Sequence, residues 1–443
     1  MLVLPGASTD SIGATACMNL VNHELRLHAD PSRVVVRPFH IAFGGIGNPP
    51  GRTERLVGEV LAMGAQEARD QLEVVLKDFE ARHWQTRRVF MTRYDQIEDL
   101  LGLDGREISD EKRQLIGAYF CQEYSYAAAA LMNPSAVQHF DQSGMPPGSM
   151  RILMSMRAVG EGHISSVAFR EGIVTDTFEL MLAPEPPFAT ATDMVGRADE
   201  TMPEGTVTVQ RHRDSTLSGT VMFPITEAQS KGLEDMRIVR FQHDDGSWEW
   251  IGTYTAYNGS QIQSELMRTR DFRAFDLVPM TGAASRNKGM ALFPRKVDGR
   301  YMMIGRSDGE NVFLLKSEDL THWDDGQKIL TPEYPWELVQ LGNCGPPIEL
   351  DEGWLLLTHG VGAMRKYSIG AVLLDKRDPA KVIGRTSQPL LAAKDQDREG
   401  YVPNVVYSCG AIRHNDTLFI PYGIADSSIG FAFMPISELL AAM

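Results

Sequence analysis

Beyond its first third, the chain repeats one pattern several times, and this repeat limits the possible folds more than any other feature of the sequence. An apolar strand-like run is followed by one or two polar residues and then by a glycine or small turn. The pattern occurs in ILMSMRAVGEG, WIGTYTAYNG, YMMIGRSDGE, WLLLTHGVG and LFIPYGIAD. Comparable positions in the last four, Tyr254, Ile304, Leu357 and Pro421, are 50, 53 and 64 residues apart. Several strands per unit at this period are typical of propeller blades, so the sequence predicts a five-bladed β-propeller over 132–443.

A second, shorter motif recurs within two of the units. TRDFRAF at 269–275 matches SEDLTHW at 317–323, with Asp271 and Asp319 at equivalent positions. A Pro-, Thr- and Glu-rich insertion at about 184–206 interrupts the first unit. A β-sandwich is the alternative fold, but sandwiches do not usually repeat a motif at this period.

The first third of the chain has a helical pattern instead. RLVGEVLAMGAQEARDQLEVVLKDFEARH places apolar residues at helical spacing. A second helix is predicted over about 109–132, with Ser109 as its N-cap. We therefore expect an N-terminal segment, 1–131, with a helical section at about 50–131 that serves as a cap or as the contact of a homo-oligomer; the alternative is that this section carries a site of its own.

The composition indicates a globular chain and excludes several classes of function. Hydrophobic residues make up 43% of the chain and charged residues 23%, as in ordinary folded proteins. The net charge of −15 argues against a nucleic-acid surface, which needs clustered Lys and Arg, although a local group of cations can still bind a small anion. The four cysteines are far apart, and we find neither a signal-peptide pattern nor an apolar run long enough to span a membrane. These features predict a cytoplasmic protein with no membrane partner.

The ends of the repeated strands carry polar side chains at corresponding positions. In a propeller the innermost strands of all blades line one central channel, so corresponding residues converge there. The positions are occupied by Arg157, Thr255, Arg306, His359 and Tyr422, with Asp426 just beyond. This ring predicts a functional site in the channel; the alternative is that the residues only solvate a water-filled channel.

The stretch KGLEDMRIVRF at 231–241 places two acids, Glu234 and Asp235, before Arg237 at the start of an apolar strand. Neighbouring residues on a strand point to opposite faces, so we expect at most one of the two acids to face the channel. The alternative interpretation is a local salt bridge at the start of the strand.

Basic residues from several repeats complement these acids. They are Arg157, Arg286, Lys288, Arg306 and His359. An acid beside a basic pocket suits a displacement on a neutral sugar by an anion such as phosphate, because the acid protonates the leaving oxygen and the cations hold the anion. The sequence shows no P-loop, nucleophile elbow, HExxH motif or dinucleotide fingerprint. We therefore expect no metal and no cofactor, with inorganic phosphate as a co-substrate.

Six motifs that follow one another along the chain carry a family resemblance. They are KGLEDMRI, NKGMALFPRKVDGRYMMIGR, GPPIELDEGWLLLTHGV, YSIGAVLLDKRDPAKVIGR, EGYVPNVVYSCG and YGIADSSIG. Together they resemble glycoside hydrolase family 130, the β-mannoside phosphorylases and related β-mannosidases. The resemblance covers about 132–443 and implies a five-bladed β-propeller.

The resemblance also implies roles for individual residues. Asp235 resembles the family's general acid, which acts through the sugar's own 3-hydroxyl as a proton relay. The residues that resemble the family's phosphate site are Lys288, Arg306, His359 and Tyr367. Those that resemble its mannose site are Asn133, Arg157 and Asp426, with Glu234 placed beside them. Two departures from the simpler members, the inserted VQHFDQSGMPPGSM and the turn GEGHISS, fall near this sugar site.

These features predict an inverting β-mannoside phosphorylase that cleaves a terminal β-mannosyl linkage with phosphate to give mannose 1-phosphate. Its partners would be a β-mannoside oligosaccharide and phosphate. The first alternative is an inverting β-mannosidase, in which water needs a second carboxylate about 6.5–9.5 Å from the first. The candidates for that base are Glu161, Glu310, Glu337 and Glu399. The second alternative is a non-catalytic propeller that binds glycans or proteins.

Overall fold

The computed structural model describes residues 19–39, 51–197 and 202–443. Cys17 and the N-terminal stretch without a signal-peptide pattern lie outside these residues. Short strands and four helices come first along the chain. Their bounds are β1 Val21–Asn22, β2 Leu27–His28, β3 Val34–Pro38, α1 Arg52–Ala62, α2 Ala65–Phe79, α3 Thr86–Ile97, α4 Asp110–Tyr119 and β4 Cys121–Ser125.

The predicted helical section is confirmed only in part. Ser109 caps α4 as expected, because its side chain accepts a hydrogen bond from the backbone N–H of Lys112. The prediction of a helix as far as residue 132 is wrong, since α4 ends at Tyr119 and β4 pairs antiparallel with β3. The stretch after Phe120 is divided between β4, in which only Tyr124 is buried, and the buried strand β5. A short apolar run such as that at 127–132 has no periodicity that separates strand from helix.

Two antiparallel meanders and an insertion form the first large sheet. The strands are β5 Ala130–Gln138, β6 Ser149–Val159, β7 Ser165–Thr175, β8 Leu180–Leu182, β9 Thr190–Ala191, β10 Asp193–Arg197, β11 Val207–Gln210, β12 Thr220–Met222, β13 Gly232–Gln242, β14 Trp248–Tyr257, β15 Ile262–Thr269 and β16 Ala274–Pro279. β5 to β8 pair in chain order, as do β13 to β16, and the insertion adds β10 and β11 beside β16. A single parallel pair, Gly232 with Ser165, joins the two meanders.

Three further groups of strands follow. They are β17 Ala291–Leu292, β18 Tyr301–Gly305, β19 Val312–Ser317, β20 Gln327–Leu330, β21 Gln340–Asn343, β22 Ile348–Glu349, β23 Gly353–Val361, β24 Tyr367–Asp375, β25 Val382–Arg385, β26 Leu391–Ala392, β27 Val406–Tyr407, β28 Ile412–His414, β29 Thr417–Ile424 and β30 Ser428–Pro435, with α5 Ile436–Ala441 last. They form sheets of β17–β20, of β21–β26, and of β27–β30 with β1 and β2. The chain is thus mostly β, as predicted.

The five repeated sequence stretches are all strands, which confirms the predicted repeat of apolar strands. They correspond to β6, β14, β18, β23 and β29. Each pairs with a strand that precedes it in its own sheet: β5, β13, β17, β21 or β27. Each repeated strand is therefore the second strand of its group, whereas the sequence analysis treated it as the first, innermost strand. Asp271 and Asp319 are equivalent as predicted, because each accepts backbone hydrogen bonds in the turn after a third strand.

Apolar clusters lie between successive groups of strands. One is shared by β6–β7 and β14–β16, the next by β13–β15 and β18–β19, the third by β18–β19 and β23–β24, and the fourth by β23–β24 and β29–β30. A further cluster joins β6 to β29 and β30, so the first and last groups also share a core. Burial of these side chains supplies the main force that holds the groups together.

The N-terminal strands belong to the last sheet. Val21 and Leu27 pair with Phe433 and Ile429 of β30, so β1 and β2 form its outer edge. Residue 132, the predicted start of the propeller domain, lies inside β5, which begins at Ala130. The predicted division at 131/132 therefore cuts a strand, and β1 and β2 pack with the sheets rather than with the helices.

Candidate active site

Two matching irregularities in neighbouring strands create the centre of the site. β13 has a register shift between Glu234 and Arg237, and Asp235 has a φ of 55°. β5 has a shift between Met132 and Ser135, and Asn133 has a φ of 49°. Asparagine and aspartate tolerate this left-handed conformation better than most residues.

The bulge in β13 overturns one prediction. Regular alternation would let at most one of Glu234 and Asp235 face the channel, but an extra residue in a strand breaks the alternation. Arg157 contacts both acids: Nη2 donates to Oε1 of Glu234 at 2.8 Å, and Nη1 donates to Oδ1 of Asp235 at 3.2 Å. Both carboxylates therefore face the same cluster.

Further donors complete the environment of the two acids. Nδ2 of Asn133 donates to Oδ1 of Asp235 at 2.7 Å. Nζ of Lys288 donates to Oε2 of Glu234 at 2.8 Å. Glu234 thus bridges Arg157 and Lys288, while Asp235 binds one guanidinium and one amide. Nε of Arg157 is itself held by the hydroxyl of Ser165 at 2.9 Å, so this arginine has a defined orientation.

A second group of cations lies next to this pair of acids. Arg237 donates to the backbone oxygen of Asp235 at 3.0 Å and to the hydroxyl of Tyr407 at 2.7 Å. Nη1 of Arg306 lies 3.3 Å from Nε2 of the fully buried His359. Tyr407 connects the two arginines. Its hydroxyl accepts from Arg237, and its ring lies against His359, the partner of Arg306, with a centroid distance of 4.8 Å.

The tautomer of His359 follows from its contacts. Its Nδ1 lies 3.3 Å from the backbone oxygen of Asn343, which can only accept, so Nδ1 carries the hydrogen and Nε2 accepts from Arg306. Burial, then the charges of Arg306 and Arg237, lowers the pKa of His359 well below its usual value. His359 is therefore neutral and supplies no positive charge of its own.

Several buried polar atoms of the two groups have no hydrogen-bond partner in the described chain. They are Nε of Arg237, Nε of Arg306, Oδ1 of Asn343 and Oδ1 of Asn133. Neither Arg237 nor Arg306 has a carboxylate side chain within salt-bridge distance among the described residues. Buried charges are normally paired, so guanidinium groups in this state favour the binding of an anion.

The charges of the site give its two aspartates, Asp235 and Asp426, very different pKa values. Burial opposes ionisation of Asp235, but Arg157, Arg237 and the amide of Asn133 together outweigh it and lower its pKa to about 2. For Asp426, burial and then the negative charge of Asp235 raise the pKa to about 6, against the opposing charges of Arg157 and Arg365. Two carboxyl groups with pKa values this far apart in one site are suited to different roles.

The structure brings most of the predicted site residues together. Asn133, Arg157, Glu234, Asp235 and Lys288 are connected by hydrogen bonds. Gly289 connects them to the second group, because a Cβ there would lie 3.0 Å from Nε of Arg306. Tyr367 stacks on His359 with a centroid distance of 6.0 Å, and Asp426 interacts with Asp235 and Arg157 through its charge.

One member of the predicted polar ring, Tyr422, lies elsewhere. The hydroxyl of Tyr422 bonds to Oδ1 of Asn22 at 3.1 Å, and the ring packs in the core shared with the neighbouring sheet. The prediction for Tyr422 is wrong because the residues along a strand alternate between faces. Thr255 is buried opposite Glu234 in the strand pair. Arg286 is exposed and lines a cavity with Gln261 and Gln263.

Sequence reasoning missed three contributors: Ser165, Asn343 and Tyr407. Asn343 and Tyr407 lie on the short strands β21 and β27, which precede the recognised repeats. A search for polar residues one strand before each repeat would have found them. Among the four candidate bases, Glu337 is fully buried, and Arg385 and the backbone N–H groups of Glu333 and Tyr334 hold its carboxylate.

The other three candidate bases, Glu161, Glu310 and Glu399, are exposed. Among the described residues, Glu98, Asp99 and Asp104 form a group with ligand atoms close enough for a metal ion. It lies after α3 on the helical section, and exposed acids of this kind are common without an ion. No helix of the described ranges is both long and apolar enough to cross a membrane.

The sheets and this site define a mostly-β protein with a glutamate and an aspartate in one cluster, beside two arginines that have no carboxylate partner among the described residues. Residues 210–443 match the family model of glycoside hydrolase family 130, described as beta-1,4-mannooligosaccharide phosphorylase. This match covers more than half of the chain, so the protein belongs to that family.

Relatives with established names agree with the family match. The chain is 36% identical over 229 residues to a 1,2-beta-oligomannan phosphorylase of Thermoanaerobacter sp. (strain X514), covering 50% of this chain and 75% of the relative. It is 32% identical over 228 residues to a beta-1,2-mannobiose phosphorylase of Listeria innocua, covering 49% of this chain and 62% of the relative. A solved glycosyl hydrolase from Bacteroides ovatus superposes with a TM-score of 0.50 at 20% identity, over 70% of this chain and 86% of that one. The last likeness shows the fold alone.

Proposed function

We propose that this protein is an inverting β-mannoside phosphorylase that transfers a terminal mannosyl group to phosphate. The observation that carries the proposal is the presence of two arginines without carboxylate partners among the described residues. Arg237 is bonded to the backbone of Asp235, and Arg306 lies against Gly289, the residue after Lys288. A phosphate would supply the missing acceptors, and arginine can bind it through two parallel hydrogen bonds. The names of the relatives support the same reaction.

The proposal includes a five-bladed β-propeller as the catalytic domain. The shared cores run in order through five groups of strands and return from the last group to the first. Residues 408–410 lie beside β5, with the N–H of Cys409 donating to Pro134 and that of Ala136 donating to Gly410. The outer position of the last group is filled by β1 and β2 from the other end of the chain. This arrangement supports a ring of blades around the site.

In the proposed reaction, a phosphate oxygen attacks the anomeric carbon while the bond from that carbon to the leaving oxygen breaks. The leaving oxygen takes up one proton, and the products are mannose 1-phosphate and the shortened glycan. Lys288, Arg306 and Tyr367 hold the phosphate in this scheme. His359, which was predicted to bind it as well, instead orients Arg306, because its two ring nitrogens already bond to Arg306 and to the backbone oxygen of Asn343. Asn133, Arg157 and Asp426 bind the terminal mannose, with Glu234 orienting Arg157 and Lys288.

The low pKa of Asp235 sets a condition on its role as the acid. An ionised carboxylate has no proton to give, and the nearby cations keep this one ionised. A phosphate bound beside Arg237 and Lys288 adds negative charge, which offsets those cations and raises the pKa of Asp235. Phosphate thus has two roles in this scheme: it attacks the anomeric carbon, and its negative charge favours the protonated form of Asp235. The sugar's 3-hydroxyl relays the proton from Asp235 to the leaving oxygen.

Hydrolysis by water is less well supported than phosphorolysis. It needs a second carboxylate that is free to act as a base. Glu337 is already engaged by Arg385 and two backbone N–H groups. The named relatives are phosphorylases. Two further parts of the proposal are a cytoplasmic location and a homo-oligomer formed through the helical section, in which Val74 of α2 is 57% exposed and Leu100, in the turn after α3, is 68% exposed.

The experiment that tests the function is an incubation with β-1,2- and β-1,4-mannobiose, each with and without phosphate. We expect mannose 1-phosphate to form only when phosphate is present. Lys288→Ala should weaken the apparent affinity for phosphate, because it removes an ammonium that is bonded to Glu234 and belongs to the residue just before Gly289, the neighbour of Arg306. Release of free mannose at a rate independent of phosphate would instead identify a hydrolase.

A further inference from the structure

A cavity of about 750 Å³ lies between the helical section, the β3–β4 pair and the insertion between β8 and β13. Its walls come from β3, α3, β10 and the segment around residue 223. Most of these elements precede residue 210, where the match to the family begins. The cavity is therefore built largely by parts of the chain that the family relationship does not explain. Its volume falls in the usual range for small-molecule sites, roughly 300–1,000 Å³.

The charge of this cavity opposes that of the whole chain. Its lining includes three arginines, Arg37, Arg88 and Arg93, and one histidine, His212, against one acid, Asp193, among the described residues. The chain as a whole carries a formal charge of −15. A local excess of cations in a concave, partly desolvated surface attracts an anionic ligand even when the net charge is negative.

Arg93 has an unused donor at this cavity. The residue is only 7% exposed, and its Nε donates to the backbone oxygen of Phe120 at 3.0 Å. Nη1 donates to Gln96 at 3.3 Å, but the buried Nη2 has no partner among the described residues. The buried hydroxyl of Thr192, on the opposite wall, also lacks one. Buried polar atoms are rarely left unpaired, so these two point to an occupant.

Arg88 and His212 give a second, independent indication. Nη1 of Arg88 lies 3.0 Å from Nε2 of His212, while the backbone N–H of Asp214 donates to Nδ1 of the same ring at 3.2 Å. A neutral imidazole accepts at only one nitrogen, so Nε2 carries a hydrogen and two donors face each other. Asp193 interacts with both groups through its charge, but it forms no salt bridge with either among the described residues. An anionic oxygen of a ligand between the two donors would accept from both.

Aromatic rings beside these donors suit a ligand with a ring of its own. The indole of Trp84 contacts His212 with a centroid distance of 4.2 Å and lines the same cavity. The guanidinium of Arg37 lies 4.2 Å from the ring centroid of Phe223, which holds it in place by a cation–π contact. Aromatic faces pack well against sugar rings and nucleobases.

We infer that this cavity is a second ligand site, which binds a phosphate ester carried on a sugar or nucleoside ring. The phosphate accepts hydrogen bonds from Arg88, His212 and Arg93, and the ring lies against Trp84. The site uses none of the residues placed in the phosphorylase centre, so it stands independently of the proposed reaction.

Isothermal titration calorimetry of the full chain with three probes tests this inference. The probes are adenosine 5′-monophosphate, glucose 6-phosphate and inorganic phosphate. We expect at least one of the two esters to bind more tightly than inorganic phosphate. Arg88→Ala should weaken that binding at least tenfold, which is about 1.4 kcal/mol. Arg88 is exposed, so its loss should leave the fold intact, as a thermal melt would verify.

Two variants separate this site from other sources of binding. Arg87→Ala is the matched control, because Arg87 is the next residue on α3 and pairs with Glu73 instead; it should bind the ester like the wild type. Lys288→Ala, in the proposed catalytic centre, should also retain the binding. Preference for the nucleotide or for the sugar phosphate would identify the source of the ester. Equal affinity for inorganic phosphate, no binding at millimolar concentration, loss in Lys288→Ala, or unchanged affinity in Arg88→Ala would each overturn the inference.

Discussion

Asp235 is surrounded by groups that stabilise its charge, and this makes its protonation state sensitive to each neighbour. Arg157 and Asn133 both bind Oδ1, and Arg237 is anchored to the backbone oxygen of the same residue. Glu234 shares Arg157 and adds Lys288. Removing the carboxylate of Glu234 therefore leaves Lys288 without a carboxylate partner among the described residues, and Arg157 with Asp235 as its remaining one. Replacing the carboxylate of Asp235 by an amide removes the proton donor but leaves both cations bonded to Glu234.

The first prediction compares two isosteric substitutions. Asp235→Asn keeps the size of the side chain but cannot carry the proton. Because general-acid catalysis typically contributes about 10²–10⁴-fold to the rate, kcat/KM should decrease by a factor in that range. Glu234→Gln should affect the apparent affinity for phosphate more than the maximal rate, because it releases Lys288. Steady-state kinetics on the best β-mannoside, with thermal melts as a folding control, measure both. Near-normal turnover by Asp235→Asn would remove this residue from the mechanism.

The second prediction concerns stability and pH. Because the pKa of Asp426 is raised to about 6 in the folded state, the folded protein binds its proton more tightly than the unfolded chain does. The resulting stabilisation is complete below the unfolded value of about 3.9 and is lost as the pH rises through about 6. Asp426→Asn should therefore melt at a higher temperature than the wild type at pH 8 and at the same temperature near pH 3.5. Equal melting temperatures at pH 8 would contradict the raised pKa.

At the scale of the strand, the site depends on two bulges that the sequence pattern could not show. The apolar run of β13 was predicted, but Asp235 was expected to alternate with Glu234. The bulge depends on backbone pairing with β14, where Glu234 and Arg237 face Thr255 and Thr253. Such a register is decided by the partner strand, so it cannot be deduced from one strand's sequence. The sequence carries a weak signal for the two bulges, because Asn133 and Asp235 occupy corresponding positions of β5 and β13, the first strands of their groups.

The third prediction separates the backbone of the β5 bulge from its side chain. Asn133 has a φ of 49°, which glycine adopts freely and alanine adopts at a cost of about 1–2 kcal/mol. Asn133→Gly should keep most of the wild-type stability, while Asn133→Ala should be less stable than Asn133→Gly by about 1 kcal/mol. Both lose the donor to Asp235, so both should lose activity to a similar extent. Urea unfolding and kinetics measure the two effects; equal stability of the variants would argue against the strained bulge.

At the scale of the whole molecule, the order of the repeated strands was predictable from the sequence, whereas the pairing of the N-terminal strands with the last sheet was not. The period near 50 residues predicted the strands β6, β14, β18, β23 and β29. Each repeat was recognised from its own apolar run. The short segments β1 and β2 have two residues each and thus no periodicity to recognise. They are strands only because β30 offers an unpaired edge, and that edge arises from tertiary structure.

The last prediction tests whether these N-terminal strands complete the fold. Leu25 and Leu27 pack against the cluster shared by the first and last groups, and Arg26 pairs with Asp397 at 3.4 Å. A chain that begins at Ala29 should lose this packing and leave the edge of β30 exposed. Burial of one leucine stabilises by about 1.5–3 kcal/mol, so the loss should be on the order of 3 kcal/mol and should lower the melting temperature clearly.

A synthetic peptide of residues 19–30 provides the specific control for this truncation. Added to the shortened chain, it can pair with β30 in the same register, Leu27 opposite Ile429, and should restore the melting temperature. The same peptide with Leu27→Asp should not, because the carboxylate would have to be buried in the apolar cluster. A shortened chain as stable as the wild type would show that β1 and β2 pair with the last sheet without stabilising the fold. Rescue by the first peptide alone would show that the two ends of the chain close the structure through these strands.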